Sequence, residues 1–358
     1  MQLLPPFLII LVALFSTCSS ARVFSSFSQN NNIANGSEGS LVTSKTVTVD
    51  KSGHGDFYTI QAAIDSIPSL NTQWVTVQIS PGIYKEQVQI PIDKPFIFLN
   101  GIKGREQTII TFDANAETDT SATFTSSSAN VVAQGITFEN SFNHVTTAPA
   151  IQYVAGNGNT IKPAVAARIL GDKSAFFECG FIGLQDTLFD AHGRHYFKSC
   201  YIEGAIDFIF GFAQSYYEDT MINATVGTLT KEIAIGFITA QGRGSSSDSG
   251  GFVFRGGLVY GNGGQVLLGR AYGPYARVVF IETKFDAVVA PQGWNAWKSS
   301  GHENNIIFAE VNCQGPGSDT SKRVTWEKKL SESELKEYSK SSFIDEDMWT
   351  SHLPIPNT

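Results

Sequence analysis

The sequence predicts an all-β chain wound as a β-solenoid, a coil whose turns stack on one another. Three observations predict it. From about residue 45 onward, short β-rich runs alternate with Gly, Asn and Asp; examples are Val75–Ile79, Phe96–Leu99, Val131–Phe138, Phe252–Phe254 and Arg277–Ile281. Helical periodicity is confined to short segments near the two ends, Thr59–Ile67 and Ser331–Tyr338, the second opening on the capping-box pattern Ser331-x-x-Glu334. One section also repeats itself. Phe177, Phe197 and Tyr217 stand 20 apart, as do Phe181, Tyr201 and Met221, and again Ile182, Ile202 and Ile222. Strands of a sandwich could share such spacing by coincidence, but three parallel series favour a coil that buries each aromatic under its equivalent.

Composition fits this reading. With 42% hydrophobic residues the chain has enough apolar surface for a sizeable core, which excludes wholesale disorder. The formal net charge of −8 and the absence of any long basic run argue against nucleic-acid binding. The apolar run Phe7–Phe15 is too short to span a bilayer, so no membrane anchor is expected. It leads into Thr17-Cys18-Ser19-Ser20-Ala21, small residues suited to a signal-peptidase site, although the usual basic start is missing. Residues 1–21 therefore read as a secretory signal rather than a buried first strand, 22–43 as a Ser/Asn-rich leader, and 44–358 as the folded domain. Sequons at Asn35 and Asn223 are compatible with glycosylation.

The period makes residues 20 or 21 apart lateral neighbours on adjacent coils. Cys179 and Cys200 are 21 apart, so a disulfide between them is expected in an oxidising compartment, leaving Cys313 over. Asp186 and Asp207 are also 21 apart, each flanked by apolar residues. Stacked coils would bring these carboxylates face to face, where like charges in a dry setting cannot both ionise easily. Such a pair supplies an acid together with a nucleophile or base. Each Asp could instead cap a turn. Competing chemistries lack their signatures: there is no Gly-x-Ser-x-Gly elbow and no metal-ligand spacing, so no metal or cofactor is expected. His192 and His195 read as turn residues rather than ligands.

These residues resemble plant pectin methylesterases (pectinesterases) across about residues 45–355. The matching stretches are Gly53–Phe57 with Thr59–Ala63, Gly82–Glu86, Gln185–Leu188, Asp207–Gly211, Ile238–Arg243 and Leu268–Arg270, in family order. The resemblance implies a right-handed parallel β-helix, in the short form without an inhibitory pro-region. It implies hydrolysis of galacturonate methyl esters in pectin, with release of methanol, by a secreted monomer in the cell wall. A proteinaceous pectinesterase inhibitor is an implied partner. Carried over by motif, Asp207 is the nucleophile, Asp186 the acid and then the base, and Arg270 the group that holds Asp207 ionised. Gln185 is the oxyanion donor and Thr118 a substrate contact.

Two positions depart from the family pattern. Pro163 stands where a Gln is expected to help form the oxyanion hole, and Tyr272 where a Trp is usual. A ring survives at 272, so substrate binding there is expected to persist. Pro163 offers no side-chain donor and raises the alternative of a weakened or inactive pectin-binding wall protein. A third reading is a polygalacturonase or lyase, since glycoside hydrolases also use paired carboxylates.

Overall fold

A computed structural model describes residues 45–143, 145–147, 150–152, 161–228 and 235–355. The predicted signal, the leader and Asn35 lie outside the described residues. Three sheets of parallel strands run the length of the domain, one of ten strands and two of eight, and the chain visits them in turn. The ten-stranded sheet begins at Lys45–Val49 and ends at Ile307–Val311. One eight-stranded sheet contains Leu188–Asp190, Ile206–Gly211, Ile235–Gln241 and Gln265–Ala271, side by side in that order. The other contains Gly180–Ile182, Tyr201–Gly204 and Met221–Ala224. This is a parallel β-helix.

Its interior is a column of rings. Phe176, Phe197, Tyr217, Phe254 and Phe280 stack in sequence with centroids 5.0, 4.5, 4.5 and 4.4 Å apart and planes within 14° of parallel. Each buried ring contributes about 1.5–3 kcal/mol by leaving water. The register corrects the predicted ladder by one residue at its first step: Phe176, not Phe177, pairs with Phe197, and Phe181 pairs with Ile202. That coil takes 21 residues and the next takes 20 (Ser174↔His195, then Arg194↔Gln214). Because a slip of one residue reverses a strand's faces, Phe176 points inward and Phe177 outward.

A two-residue corner leads out of the ten-stranded sheet on successive coils. Its first member is left-handed each time: Gly135, Glu178, Ser199, Asp219, Gly256, Glu282 and Asn312 all have φ between 51° and 67°. The second member is Cys at 179, 200 and 313. Cys179 and Cys200 are thus neighbours, as predicted, but the expected disulfide is absent: both are free, fully buried thiols, and Cys200 Sγ donates to the Phe176 carbonyl at 3.4 Å. Burial pushes Cys179 up to about 12, so the thiol form persists. Cys313 is also free.

His195 departs from its expected place in a turn. It is the second residue of the strand Arg194–Lys198, fully buried, with Nδ1 2.5 Å from Asp190 Oδ1 and Nε2 3.1 Å from the Gly171 carbonyl. Tyr217 donates to the other Asp190 oxygen at 2.6 Å. This polar knot sits inside the apolar core with its hydrogen-bonding groups paired.

Helix Ile60–Asp65 is capped by Thr59 and buries Ile60, Ala63 and Ile64 over the first coils, against the edge strands Lys45–Val49 and Val88–Ile90. The predicted second helix is Glu332–Glu337, and the Ser331/Glu334 capping box is present. Beyond it Tyr338, Phe343, Trp349 and Leu353 pack on Tyr196, Tyr216, Val253 and Val279, on the outer face of the ten-stranded sheet.

Candidate active site

The site lies on the sheet that contains Ile206–Gly211. A parallel bridge joins Gln185 to Ile206, and the Asp186 N–H donates to the Ile206 carbonyl at 3.0 Å. The segments holding Asp186 and Asp207 are therefore laterally adjacent, as the 21-residue spacing requires. Both aspartates are left-handed, with φ of 59° and 47°. Such a conformation costs of order 1 kcal/mol or more outside glycine and persists only where surrounding structure enforces it. Here the apolar neighbours Leu188, Phe208 and Ile209 are fully buried. A register shift between Ile206 and Ile209, against the strand Ile235–Gln241, accommodates Asp207 at the bulge.

Arg270 reaches Asp207 from two coils away. Its Nε donates to Oδ1 at 2.7 Å and its Nη2 to Oδ2 at 2.5 Å, a two-pronged, charge-assisted pair with both side chains mostly buried. The guanidinium lies between two aromatic faces, 4.2 Å from the Phe237 ring centroid and 3.8 Å from that of Trp297. Stacking of this kind holds the planar fork in one orientation. The Lys298 ammonium sits 4.3 Å from the Tyr272 ring centroid and 4.6 Å from that of Trp297.

The two carboxyls differ in electrostatic setting. Burial first, and the neighbouring Asp207 charge second, push Asp186 up to about 7. Burial also raises Asp207, but the Arg270 hydrogen bonds and charge, with help from Lys298, oppose the rise. Both carboxyls are thus pushed toward their protonated forms, Asp186 the further because Arg270 opposes the rise of Asp207, and they titrate as one coupled pair.

Of the other predicted residues, Gln185 is half-buried next to Asp186, and Tyr272 is exposed two residues beyond Arg270. Pro163 is half-buried one coil before Gln185, the N–H of the next residue, Ala164, donating to the Gln185 carbonyl at 3.1 Å. Thr118 is half-buried in a turn closed by the Ser121 N–H on the Glu117 carbonyl. The Asn223 amide donates to Tyr201 Oη at 2.9 Å and to a Glu203 oxygen at 3.0 Å. Sequence reasoning missed Phe237, Trp297 and Lys298, the residues that clamp and surround Arg270. Among the described residues no group of three or more His, Cys, Asp or Glu is arranged to hold a metal ion.

A parallel β-helix with a carboxylate pair and a clamped guanidinium on one outer face defines the class of the molecule. The comparisons make it specific. The pectinesterase family model matches residues 46–347. Putative pectinesterase 10 of Arabidopsis thaliana is 47% identical over 87% of this chain and 88% of its own length. Probable pectinesterase 29 of the same plant is 46% identical over 88% and 91%. The solved structure of pectin methylesterase from carrot covers 87% of this chain and 97% of its own, with a TM-score of 0.78 and 29% identity. The chain belongs to the pectinesterase family, and its fold is the right-handed parallel β-helix expected from the sequence.

Proposed function

We propose that the Asp186–Asp207 pair performs the ester hydrolysis of this pectinesterase, with Asp207 as nucleophile. The reaction converts galacturonate methyl esters of pectin to carboxylates and methanol. The observation that carries the assignment is the contrast within the pair: Arg270 donates two hydrogen bonds to Asp207 and opposes its protonation, whereas burial and the neighbouring charge push Asp186 up to about 7.

In this reading an Asp207 oxygen attacks the ester carbonyl carbon. The developing oxyanion is met by Gln185 as hydrogen-bond donor. Collapse expels the methoxy group, which takes the proton from Asp186 and leaves as methanol. Asp186, now ionised, removes a proton from water; the resulting hydroxide opens the acyl-enzyme and frees the Asp207 carboxylate. One proton has been given and one regained, so the pair returns to its starting state. Arg270 tempers the nucleophilicity of Asp207 but keeps it ionised and aimed. Tyr272 and Thr118 contact the sugar chain.

The alternative of a binding protein without turnover, raised by Pro163, gains no support from the comparisons, nor does a glycosidase or lyase. Secretion through residues 1–21, action in the cell wall as a monomer, and regulation by a protein inhibitor belong to the same proposal. No helix among the described residues is long and apolar enough to cross a membrane. Methanol release from methylated pectin tests the reaction, and its loss in Asp207→Ala tests the nucleophile; undiminished release by that variant refutes the assignment.

A further inference from the structure

A row of rings, half-buried at Trp297 and exposed at Tyr272, Phe212 and His192, continues from the site toward neighbouring coils. Trp297 and Tyr272 have centroids 5.9 Å apart, Tyr272 and Phe212 are likewise 5.9 Å apart, and Phe212 stacks on His192 at 5.7 Å with planes 16° apart. Phe212 is 37% exposed and Tyr272 41%, unusual for rings that have close partners. The coil between them presents Gly242. A Cβ there would lie 2.5 Å from the Phe212 ring and 3.0 Å from that of Tyr272, so only glycine lets the two rings close into one ledge. At the far end, His192 and Phe212 border a cavity of about 630 Å³.

The charged groups around this cavity are already engaged. Arg194 donates to both Asp172 oxygens and to Asp347. Arg243 donates to the carbonyls of Asp248, Ser246 and Tyr275, while the Asp248 carboxylate accepts from Gly244, Ser245 and its hydroxyl. At the His192–Phe212 end, ring faces and spent charges favour a neutral sugar over an anionic one, because a carboxylate buried there would lose water without gaining a free cation; the Lys298 ammonium lies at the opposite, Tyr272 end.

We infer that the His192–Phe212 stack, joined to Tyr272 across Gly242, is a binding ledge for methyl-esterified galacturonate units lying several residues from the ester being cut. It would make the protein select esterified stretches of chain. The inference rests on pectin being the substrate, and its test reads binding rather than turnover. Retention of the full chain, Phe212→Ala and Phe212→Trp is measured by affinity electrophoresis in gels containing either highly esterified or fully de-esterified galacturonan. Because Phe212 is exposed, the variants are expected to fold, and an unchanged thermal midpoint verifies this. The expected result is retention on the esterified polymer weakened about five- to tenfold in Phe212→Ala, restored in Phe212→Trp, and changed less than twofold on the de-esterified polymer. Equal weakening on both polymers, or none on either, overturns the inference. Methanol release by the unaltered protein is scored separately, so failure of the ledge and failure of the esterase assignment give different results.

Discussion

Asp207 and Arg270, 63 residues apart in sequence, meet through two parallel hydrogen bonds in a mostly buried pair. The guanidinium is immobilised by the Phe237 and Trp297 faces, so the carboxylate is fixed in direction as well as in charge. Removing one member of such a pair strands the other in a dry setting.

Arg270→Gln is accordingly expected to raise the Asp207 pKa further, since burial is then opposed only by the charge of Lys298. The loss of a buried partner costs about 3–5 kcal/mol, split between stability and transition-state binding. Steady-state kinetics should show kcat/KM reduced by at least about 10² near neutral pH and its acid limb displaced upward. An unmoved acid limb would separate Arg270 from the ionisation of Asp207.

The pH profile follows from the pair. Asp186 must hold its proton to release methanol, and it titrates near 7. Activity is expected to fall on the alkaline side with an apparent pKa of about 7, and on the acid side as Asp207 becomes protonated. The profile of kcat/KM on a methylated oligomer checks this.

Stability carries the same signature with a definite sign. Between pH 4 and 7 the folded state keeps a proton on Asp186 that the unfolded chain, with an ordinary carboxylate value near 3.8, has released. The free energy of unfolding therefore falls as pH rises through that window, by on the order of 3 kcal/mol from this group. Asp186→Asn should flatten the dependence and gain stability at pH 7. Urea unfolding at pH 4.5 and 7 measures both.

The buried knot around His195 yields a prediction remote from the chemistry. The His195 ring bridges the Gly171 carbonyl through Nε2 and the Asp190 carboxyl through Nδ1. His195→Leu leaves a buried carboxylate held by Tyr217 alone. The expected cost is about 3–5 kcal/mol, read as a lower urea midpoint with an unchanged slope.

In the proposed mechanism Pro163 stands in for a Gln whose side chain would help hold the oxyanion. Pro163→Gln is expected to raise kcat, by up to about 10²-fold, with little change in KM. A kcat that stays level would assign the oxyanion to Gln185 alone.

The coil and its carboxylate pair were legible in the sequence because the relevant step spans 21 residues with no insertion, so spacing translated directly into adjacency. The aromatic ladder was misread by one position because consecutive coils take 21 and then 20 residues, and a fixed period blurs that difference. Phe237, Trp297 and Lys298 left no periodic signal. The coils that carry them differ in length, through loops such as 244–250, and the contacts of Phe237 and Trp297 with Arg270 run between coils. His195 was misplaced because a polar residue near Gly193 suggests surface; its burial depends on Asp190 and Tyr217, which only the packed coil brings to it. The thiols were put side by side correctly, but adjacency does not make a bond: Cys200 turns to a carbonyl instead.

The central claim is that Asp207 is the nucleophile of a working esterase. Methanol released from highly methylated pectin by the purified chain and by Asp207→Ala tests it most directly. The account predicts steady release by the unaltered protein and a loss of at least about 10³-fold in a variant that remains folded. Comparable release by both proteins would contradict it.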